Sequence, residues 1–249
     1  MLKSRQEPPE WVHTGGGDSP VAESIAYSVD NGARVVNLSL SALNVLPATQ
    51  AAIEYANQNN VVVIASSGNS GNGIPNYPAS DPSVITVGAI TINDLRAGFS
   101  NFGAHLDLVV PSPSIHTTNR NSDNSYDSVF GGTSAAAPHV VGLVALMLSV
   151  NPDLTPEEVR TAMTENADDF GDPGFDVFYG HGRINVGATI KAIAPLVGDI
   201  NLDGQINLLD VAPFVELLQS GMFQNEGDIN RDGVVDLLDV SGFVDLLSS

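Results

Sequence analysis

One run constrains this chain more than any other. It is Gly131-Gly132-Thr133-Ser134-Ala135-Ala136-Ala137-Pro138-His139 and the apolar stretch that continues to Val150. Val140, Val141, Leu143, Val144, Leu146, Met147 and Leu148 leave no polar side on a helix. Such a helix is buried in a large core or spans a membrane. A span takes about 20 predominantly apolar residues. This run is shorter and holds Pro138, His139 and Gly142, which predicts a central core helix. Pro138 is tolerable close to the first turn. The Gly-Gly turn delivers Ser134 to the helix N-terminus, where free N–H groups and the helix dipole favour developing negative charge. That position suits a nucleophile attacking a carbonyl.

The elements before it predict a sheet. Ser19-Pro20 reads as the cap and first residue of a helix with Val21, Ile25 and Val29 on one face, ended by Asn31-Gly32. Val35–Leu40 is a strand, and Ala48–Asn60 a helix with Ala52, Ile53, Tyr55 and Ala56 inward. Val61–Ala65 is a continuous apolar strand, as in a sheet covered on both faces. Ser83–Ile90 and Leu106–Val110 are further strands, and Thr155-Pro156-Glu157-Glu158 is a capping box opening another helix. The alternation of strand, helix and strand predicts an α/β fold with a parallel sheet.

The chain of 249 residues, 43% hydrophobic, can bury a sizeable core. Its net charge of −20 argues against nucleic acid or an anionic membrane as a partner. With no cysteine there is no disulfide or thiol chemistry. The start, through residue 12, is polar and Pro-rich without an apolar core segment, so it reads as a loop rather than a signal peptide. Gly15-Gly16-Gly17-Asp18 reads as another flexible piece.

Four stretches, in order, resemble the subtilases, the subtilisin-like serine proteases. Val35-Val36-Asn37-Leu38-Ser39-Leu40 resembles the strand that pairs with substrate backbone. Ala65-Ser66-Ser67-Gly68-Asn69-Ser70-Gly71 resembles the oxyanion-asparagine loop, Tyr77–Ala89 a core segment, and Gly132–Gly142 the nucleophile motif. The resemblance implies a three-layer fold around a mostly parallel sheet, here truncated at its N-terminal side. It implies Ser134 as nucleophile, with the Asn69 side chain and the Ser134 N–H stabilising the oxyanion. It also implies that Ser39, Leu40 and Ser41 line the pocket for the substrate side chain, together with Ser66, Ser67 and Gly68. Ser41 stands where the family usually has Gly.

Two of the family's three catalytic motifs do not occur. No Asp-Thr/Ser-Gly turn and no His-Gly-Thr-His-Val-Ala-Gly segment is in the sequence. His139 lies five residues after Ser134 on one helix, and at 100° per residue it points about 140° away; a structural role in the core is expected. His13, His105, His116 and His181 lie in no motif and read as solvated or structural. The chain by itself is therefore expected to be inactive. Two other readings remain open: a non-catalytic, calcium-dependent interaction protein on a protease scaffold, and a split gene whose other part supplies Asp and His.

The tail is an internal repeat. Gly198–Ser220 matches Gly227–Ser249 at 15 of 23 positions. Asp199, Asn201, Asp203, Asn207 and Asp210 fall at positions 1, 3, 5, 9 and 12 of a loop with Gly204 at 6. Asp228, Asn230, Asp232, Asp236 and Asp239 repeat the pattern around Gly233. Side-chain oxygens at this spacing, with backbone carbonyls from Gln205 and Val234, suit Ca2+. Each loop runs into Leu-Leu-Asp-Val-x-x-Phe-Val, and loop plus exit helix, twice, resembles a type I dockerin. That resemblance implies an EF-hand-like α-helical module and a cohesin-like partner. Dockerins often carry partner-reading Ser-Thr where this chain has Leu208-Leu209 and Leu237-Leu238; here the leucines are read as packing the two helices together. Pro213 and Gly242, at equivalent positions, predict a bend. The expected organisation is a partial subtilase domain over 1–190, a linker over 191–197 and the dockerin-like module over 198–249, in a protein extracellular by family resemblance.

Overall fold

The computed structural model describes residues 18–118, 125–194 and 196–248. The polar start, His13 and Gly15-Gly16-Gly17 lie outside them. The chain divides into two compact units, Met1–Ile193 and Ala194–Ser249.

In the first unit, helix α1 (Asp18–Asp30) leads to strand β1 (Val35–Leu38), helix α2 (Pro47–Gln58) and strands β2 (Val62–Ser66), β3 (Val84–Ile90) and β4 (Leu108–Pro111). The four strands pair in parallel in that order. Alternate residues of β2 face opposite cores. Val63 and Ala65 pack with Ile25, Ile53 and Ala56 of α1 and α2. Val62 and Ile64 pack with Val140, Val144 and Met147 of helix α3 (Thr133–Val150). Both faces are covered, which is why β2 and β3 are mostly apolar and buried throughout.

Three details differ from the sequence reading. Helix α1 begins at Asp18, before Ser19, and the Asp18 carboxylate caps the next helix. Leu46 precedes α2 and offers no side-chain acceptor, so the Thr49 and Ala48 N–H groups donate to Asp18 at 2.7 and 3.0 Å. Tyr55 points to the surface, where its hydroxyl donates to Asp30 at 2.7 Å. The third concerns α3. One face of it packs on the sheet, but Pro138, His139, Gly142, Ala145 and Leu146 are exposed, Leu146 to 51%. An apolar sequence states which surface wants to be covered; among the described residues no element covers this face. His139 accordingly lies outside the core and bonds along its own helix, Nδ1 to Ala135 O at 2.9 Å.

Three elements carried no readable signal. Strands β5 (Ile115–Thr118) and β6 (Tyr126–Phe130) form an antiparallel pair, and helix α5 (Val186–Ile193) occupies the first residues of the expected linker. Helix α4 (Pro156–Glu165) starts with the expected capping box: Thr155 N–H donates to Glu158 at 2.8 Å, and Glu158 N–H donates to Thr155 Oγ1 at 3.3 Å. Thr155→Ala should lower the stability of this unit by about 1 kcal/mol. A denaturant midpoint identical to the parent's would show that the cap carries nothing.

In the second unit, a 3-10 turn (Leu208–Asp210) runs into α6 (Val211–Ser220), and α7 (Asp239–Leu247) follows the second loop. Ile200, Phe214, Leu217, Val235 and Phe243 form the core, with the two phenyl rings 4.2 Å apart. Neither helix is interrupted. Pro213 falls in the first turn of α6, where its missing N–H has no intrahelical partner to lose. Gly242 lets Ile229 approach where a Cβ would be 2.6 Å away. The leucine pairs do not join the helices. Leu208, Leu209, Leu237 and Leu238 are exposed to 80, 68, 80 and 69%, because the smaller core is filled without them.

Candidate active site

The carboxyl ends of β1 and β2 meet the start of α3, the end of a parallel sheet at which ligand groups gather. After Ser66 the chain turns through Ser67 and Gly68 to Asn69. Gly68 has φ +104°, and a Cβ there would collide with the side-chain amides of Asn76 and Asn101. Asn101 braces this turn: its Oδ1 accepts from Ser70 N–H at 2.8 Å and its own N–H donates to Gly68 O at 3.0 Å. Ser66, Ser67 and Gly68 are buried beneath Asn69 and Ser70, which are exposed. The Ser67 hydroxyl donates to Asn101 O at 3.2 Å.

Thr133 ties the turn to the helix. It is the first residue of α3 and fully buried. Its N–H and hydroxyl donate to Asn69 Oδ1 at 2.9 and 3.0 Å, while its Oγ1 accepts from Gly68 N–H at 3.2 Å. Two donors on Oδ1 fix the amide and leave Nδ2 as its donor arm. Ser134, the second helical residue, has an N–H with no partner one turn back. At the neighbouring strand end, Ser39 Oγ donates to Ser134 O at 3.3 Å and accepts from Asn37 Nδ2 at 3.1 Å. Ser39, Leu40 and Ser41 are exposed beside it. A hydroxyl and two fixed N–H donors at a helix N-terminus can attack a carbonyl and hold the resulting oxyanion, given a base.

The comparisons with known proteins fit this arrangement. The model of the family described as "Subtilase family" matches residues 12–182. The chain belongs to the subtilase family. Subtilisin DY of Bacillus licheniformis is 40% identical over 180 residues, covering 71% of this chain and 64% of its own. Subtilisin Savinase of Lederbergia lenta is 35% identical over 176 residues, covering 71% and 63%. The chain thus spans less than two thirds of each of these subtilases. A solved lanthipeptide protease overlays with a TM-score of 0.66 at 25% identity, covering 73% of this chain and 68% of its own. A Pseudoalteromonas arctica protease gives 0.67 at 29% identity, covering 72% and 60%. The family model described as "Dockerin type I domain" matches residues 197–243.

No described histidine of this subtilase hydrogen-bonds Ser134. His139 is held by its own helix, and His116 stacks on Tyr126 in the β5–β6 pair. His105 and His181 line a cavity of about 670 Å³ with Asp107 and Arg160, at the amino ends of β3 and β4. Burial lowers the pKa of His105 and raises that of Asp107, the latter against the pull of the Arg160 guanidinium 2.8 Å away.

In the tail the two loops are folded around their acids. Asp199 accepts from the N–H groups of Asp203 and Gly204 at 3.0 and 2.8 Å, and Asp228 from those of Asp232 and Gly233 at 3.0 and 2.9 Å. Gly204 and Gly233 make the turns with φ +84° and +87°. Asp210 accepts from Ile200, Asn201 and Asn207 N–H, and Asp239 from Asn230 and Asp236 N–H. Burial opposes the charge of Asp210, but these N–H donors outweigh it and hold its pKa below the ordinary value. Asp199, Asp210, Asp228 and Asp239 are all buried, and among the described residues no cation pairs with them. No described group of three or more His, Asp or Glu is gathered tightly enough to hold a metal as it stands.

Asn201 and Asn230 each bond the acid two residues on, Asp203 and Asp232. Asn207 and Asp236 cap the turns before α6 and α7 by accepting from Leu209 and Leu238 N–H at 2.8 and 2.7 Å. Gln205 and Val234 donate their N–H to Asp203 and Asp232. The sequence reading missed Thr133 and Asn101. A buried hydroxyl residue between Gly132 and Ser134 was a signal of capping type; Asn101 carried none, since it meets the oxyanion loop only through folding.

Proposed function

We propose that this chain carries the nucleophile, oxyanion donors and substrate strand of a subtilisin-like endopeptidase, and that it acts when an aspartate and a histidine are supplied by a further segment. Ser134 attacks the scissile carbonyl, the supplied histidine takes its proton, and Asn69 Nδ2 and the Ser134 N–H hold the oxyanion. The stretch Val35–Leu40 pairs with the substrate backbone, and Ser39, Leu40 and Ser41 line the pocket for the substrate side chain together with Ser66, Ser67 and Gly68. The carrying observation is the Thr133 clamp, which orients the Asn69 amide at the N-terminus of α3. The exposed face of α3 begins at Ser134, so an element covering Pro138, Gly142 and Leu146 arrives beside the nucleophile.

Asn69→Ala tests the role of the amide in the completed enzyme. In a subtilisin itself, loss of this kind of donor costs about 10²–10³ in kcat, and that is the loss expected here, with KM little changed. Unaltered kcat would remove Asn69 from the mechanism.

The tail loops fit Ca2+: hard oxygen donors at the right spacing, glycine turns, and four buried carboxylates that no cationic side chain among the described residues pairs with. Asp199, Asn201, Asp203, Asn207 and Asp210 would hold one ion with the Gln205 carbonyl, and Asp228, Asn230, Asp232, Asp236 and Asp239 a second with that of Val234. Bound there, the ions supply charge neutralisation and loop rigidity. The module then serves a cohesin-type partner, in an extracellular setting. A second reading, a non-catalytic calcium-dependent scaffold, is favoured by the lack of any described histidine bonded to Ser134. It predicts no activity even after the missing motifs are supplied.

A further inference from the structure

An asparagine followed by glycine holds an electrophile beside a nucleophile. Attack of the next main-chain nitrogen on the side-chain carbonyl closes a five-membered ring, and glycine puts no Cβ in the way. The chain has two such pairs, Asn31-Gly32 and Asn72-Gly73. The fold treats them differently. Gly32 N–H donates to Val29 O at 2.9 Å, and Asn31 Nδ2 donates to Tyr27 O at 2.8 Å. Nucleophile and leaving group are therefore both held at the end of α1. At the second pair neither is held. Gly73 N–H and Asn72 Nδ2 have no hydrogen-bond partner among the described residues, and Gly73 is exposed. Ile74 N–H donates to Asn72 Oδ1 at 3.0 Å, so it polarises the side-chain carbonyl and steadies the charge that oxygen gains under attack. Neighbouring candidates are closed. Ser70 N–H, after Asn69, donates to Asn101 at 2.8 Å, and the Gly204 and Gly233 N–H groups, each after an aspartate, donate to Asp199 and Asp228.

We propose that Asn72-Gly73 is a site of spontaneous modification, at which the asparagine passes through a cyclic imide to aspartate and isoaspartate and so limits the working life of the oxyanion loop. Hydroxide takes the proton of Gly73 N, and the nitrogen attacks Asn72 Cγ. The N–Cγ bond forms, the Cγ–Nδ2 bond breaks, and the amide leaves as ammonia with a proton from water. Water then opens the imide. Breaking the new N–Cγ bond leaves aspartate. Breaking the bond from Gly73 N to the old main-chain carbonyl leaves isoaspartate, whose main chain runs through Cβ and Cγ and is one atom longer. The place matters. Gly71 N–H donates to Phe99 O at 2.8 Å and Phe102 N–H to Asn72 O at 3.1 Å, two ties on either side of Asn101, the brace beneath Asn69. In isoaspartate that Asn72 carbonyl leaves the main chain as a carboxylate, and the second tie is lost. The consequence for catalysis rests on reading Asn69 as an oxyanion donor; the modification does not.

The experiment incubates the full chain in mildly alkaline buffer, in mildly acidic buffer and in alkaline urea, and follows both pairs by peptide mapping with mass spectrometry. In the folded chain the peptide holding Asn72 should gain the mass of an amide-to-acid exchange and split into two products of equal mass, faster in alkali. The peptide holding Asn31 should convert on the order of 10-fold more slowly, because Gly32 N–H is freed only when the helix end opens. In urea the two should convert alike. Asn72→Gln should abolish the change, since attack would have to close a larger ring. Gly73→Ala should slow it; Gly73 lies outside the left-handed region, and the added Cβ meets only the Phe102 ring edge at 3.3 Å. Equal rates at the two pairs in the folded chain, or conversion at Asn31 alone, overturn the site. In the completed protease, kcat should fall as isoaspartate accumulates, and Asn72→Gln should hold its activity longer. Conversion with kcat unchanged overturns the consequence and leaves the site standing. If Asn69→Ala also leaves kcat unaltered, it is the oxyanion reading that has failed.

Discussion

Expressed by itself, the chain should hydrolyse no peptide substrate at a subtilase-like rate. Joined to a segment bearing the Asp-turn and His-helix motifs, it should gain activity that vanishes on Ser134→Ala. The expected difference is about 10⁶-fold in kcat, the scale on which loss of the serine or histidine acts in a subtilisin itself. A serine hydroxyl needs a base to lose its proton at neutral pH. The four described histidines are engaged elsewhere: His139 on its own helix, His116 against Tyr126, His105 and His181 at the far end of the sheet. The proposed oxyanion donors, Asn69 and the Ser134 N–H, remain, and in related triads such donors leave only about 10³–10⁴-fold over water. The exposed face of α3 and the edge of β1, unpaired among the described residues, should also make the chain prone to associate until they are covered. Robust Ser134-dependent hydrolysis by the chain as it stands would mean that a base has been overlooked, with His116 the first to mutate. Silence after joining would favour the scaffold reading.

Excess chelator should unfold the second unit while leaving the first intact. Asp199, Asp210, Asp228 and Asp239 are buried, and the tail's acids outnumber its bases ten to one. Backbone N–H groups orient these carboxylates but carry no full charge to offset them. A unit of this size, Ala194–Ser249, buries too little surface to absorb that repulsion from its core. Amide exchange across 208–220 and 236–248 should become fast in chelator, and calcium should restore protection. Asp203→Ala should weaken the first site and spare the second, so calorimetric titration should resolve one tight site where two are expected in the parent. Equal protection of α6 and α7 in chelator and in calcium would sink the calcium assignment.

The periodic and local features were legible before any coordinates. The unbroken apolar run Val61–Ala65 identified a strand covered on both faces, because side-chain alternation is a property of the strand itself. Thr155 and Glu158 marked the start of α4, since a capping box closes within one turn. The motifs around Asn69 and Ser134 were read as partners from their order, and the loop glycines at 204 and 233 as sharp turns. Burial and partnership were not legible in the same way. The apolar sequence of α3 said that it wants a cover on every side; only the packing of α3 on the sheet decided which face is left open, at Pro138, Gly142 and Leu146. Leu208 and Leu237 could have filled a core, and the tertiary structure put Phe214 and Phe243 there instead. Thr133 and Asn101 acquired their places only when distant segments met, because a hydrogen bond between side chain and remote backbone leaves no period in the sequence. Period, caps and turns are local and belong to the sequence; what covers a face, and which polar group answers another across the fold, is decided where the whole chain comes together.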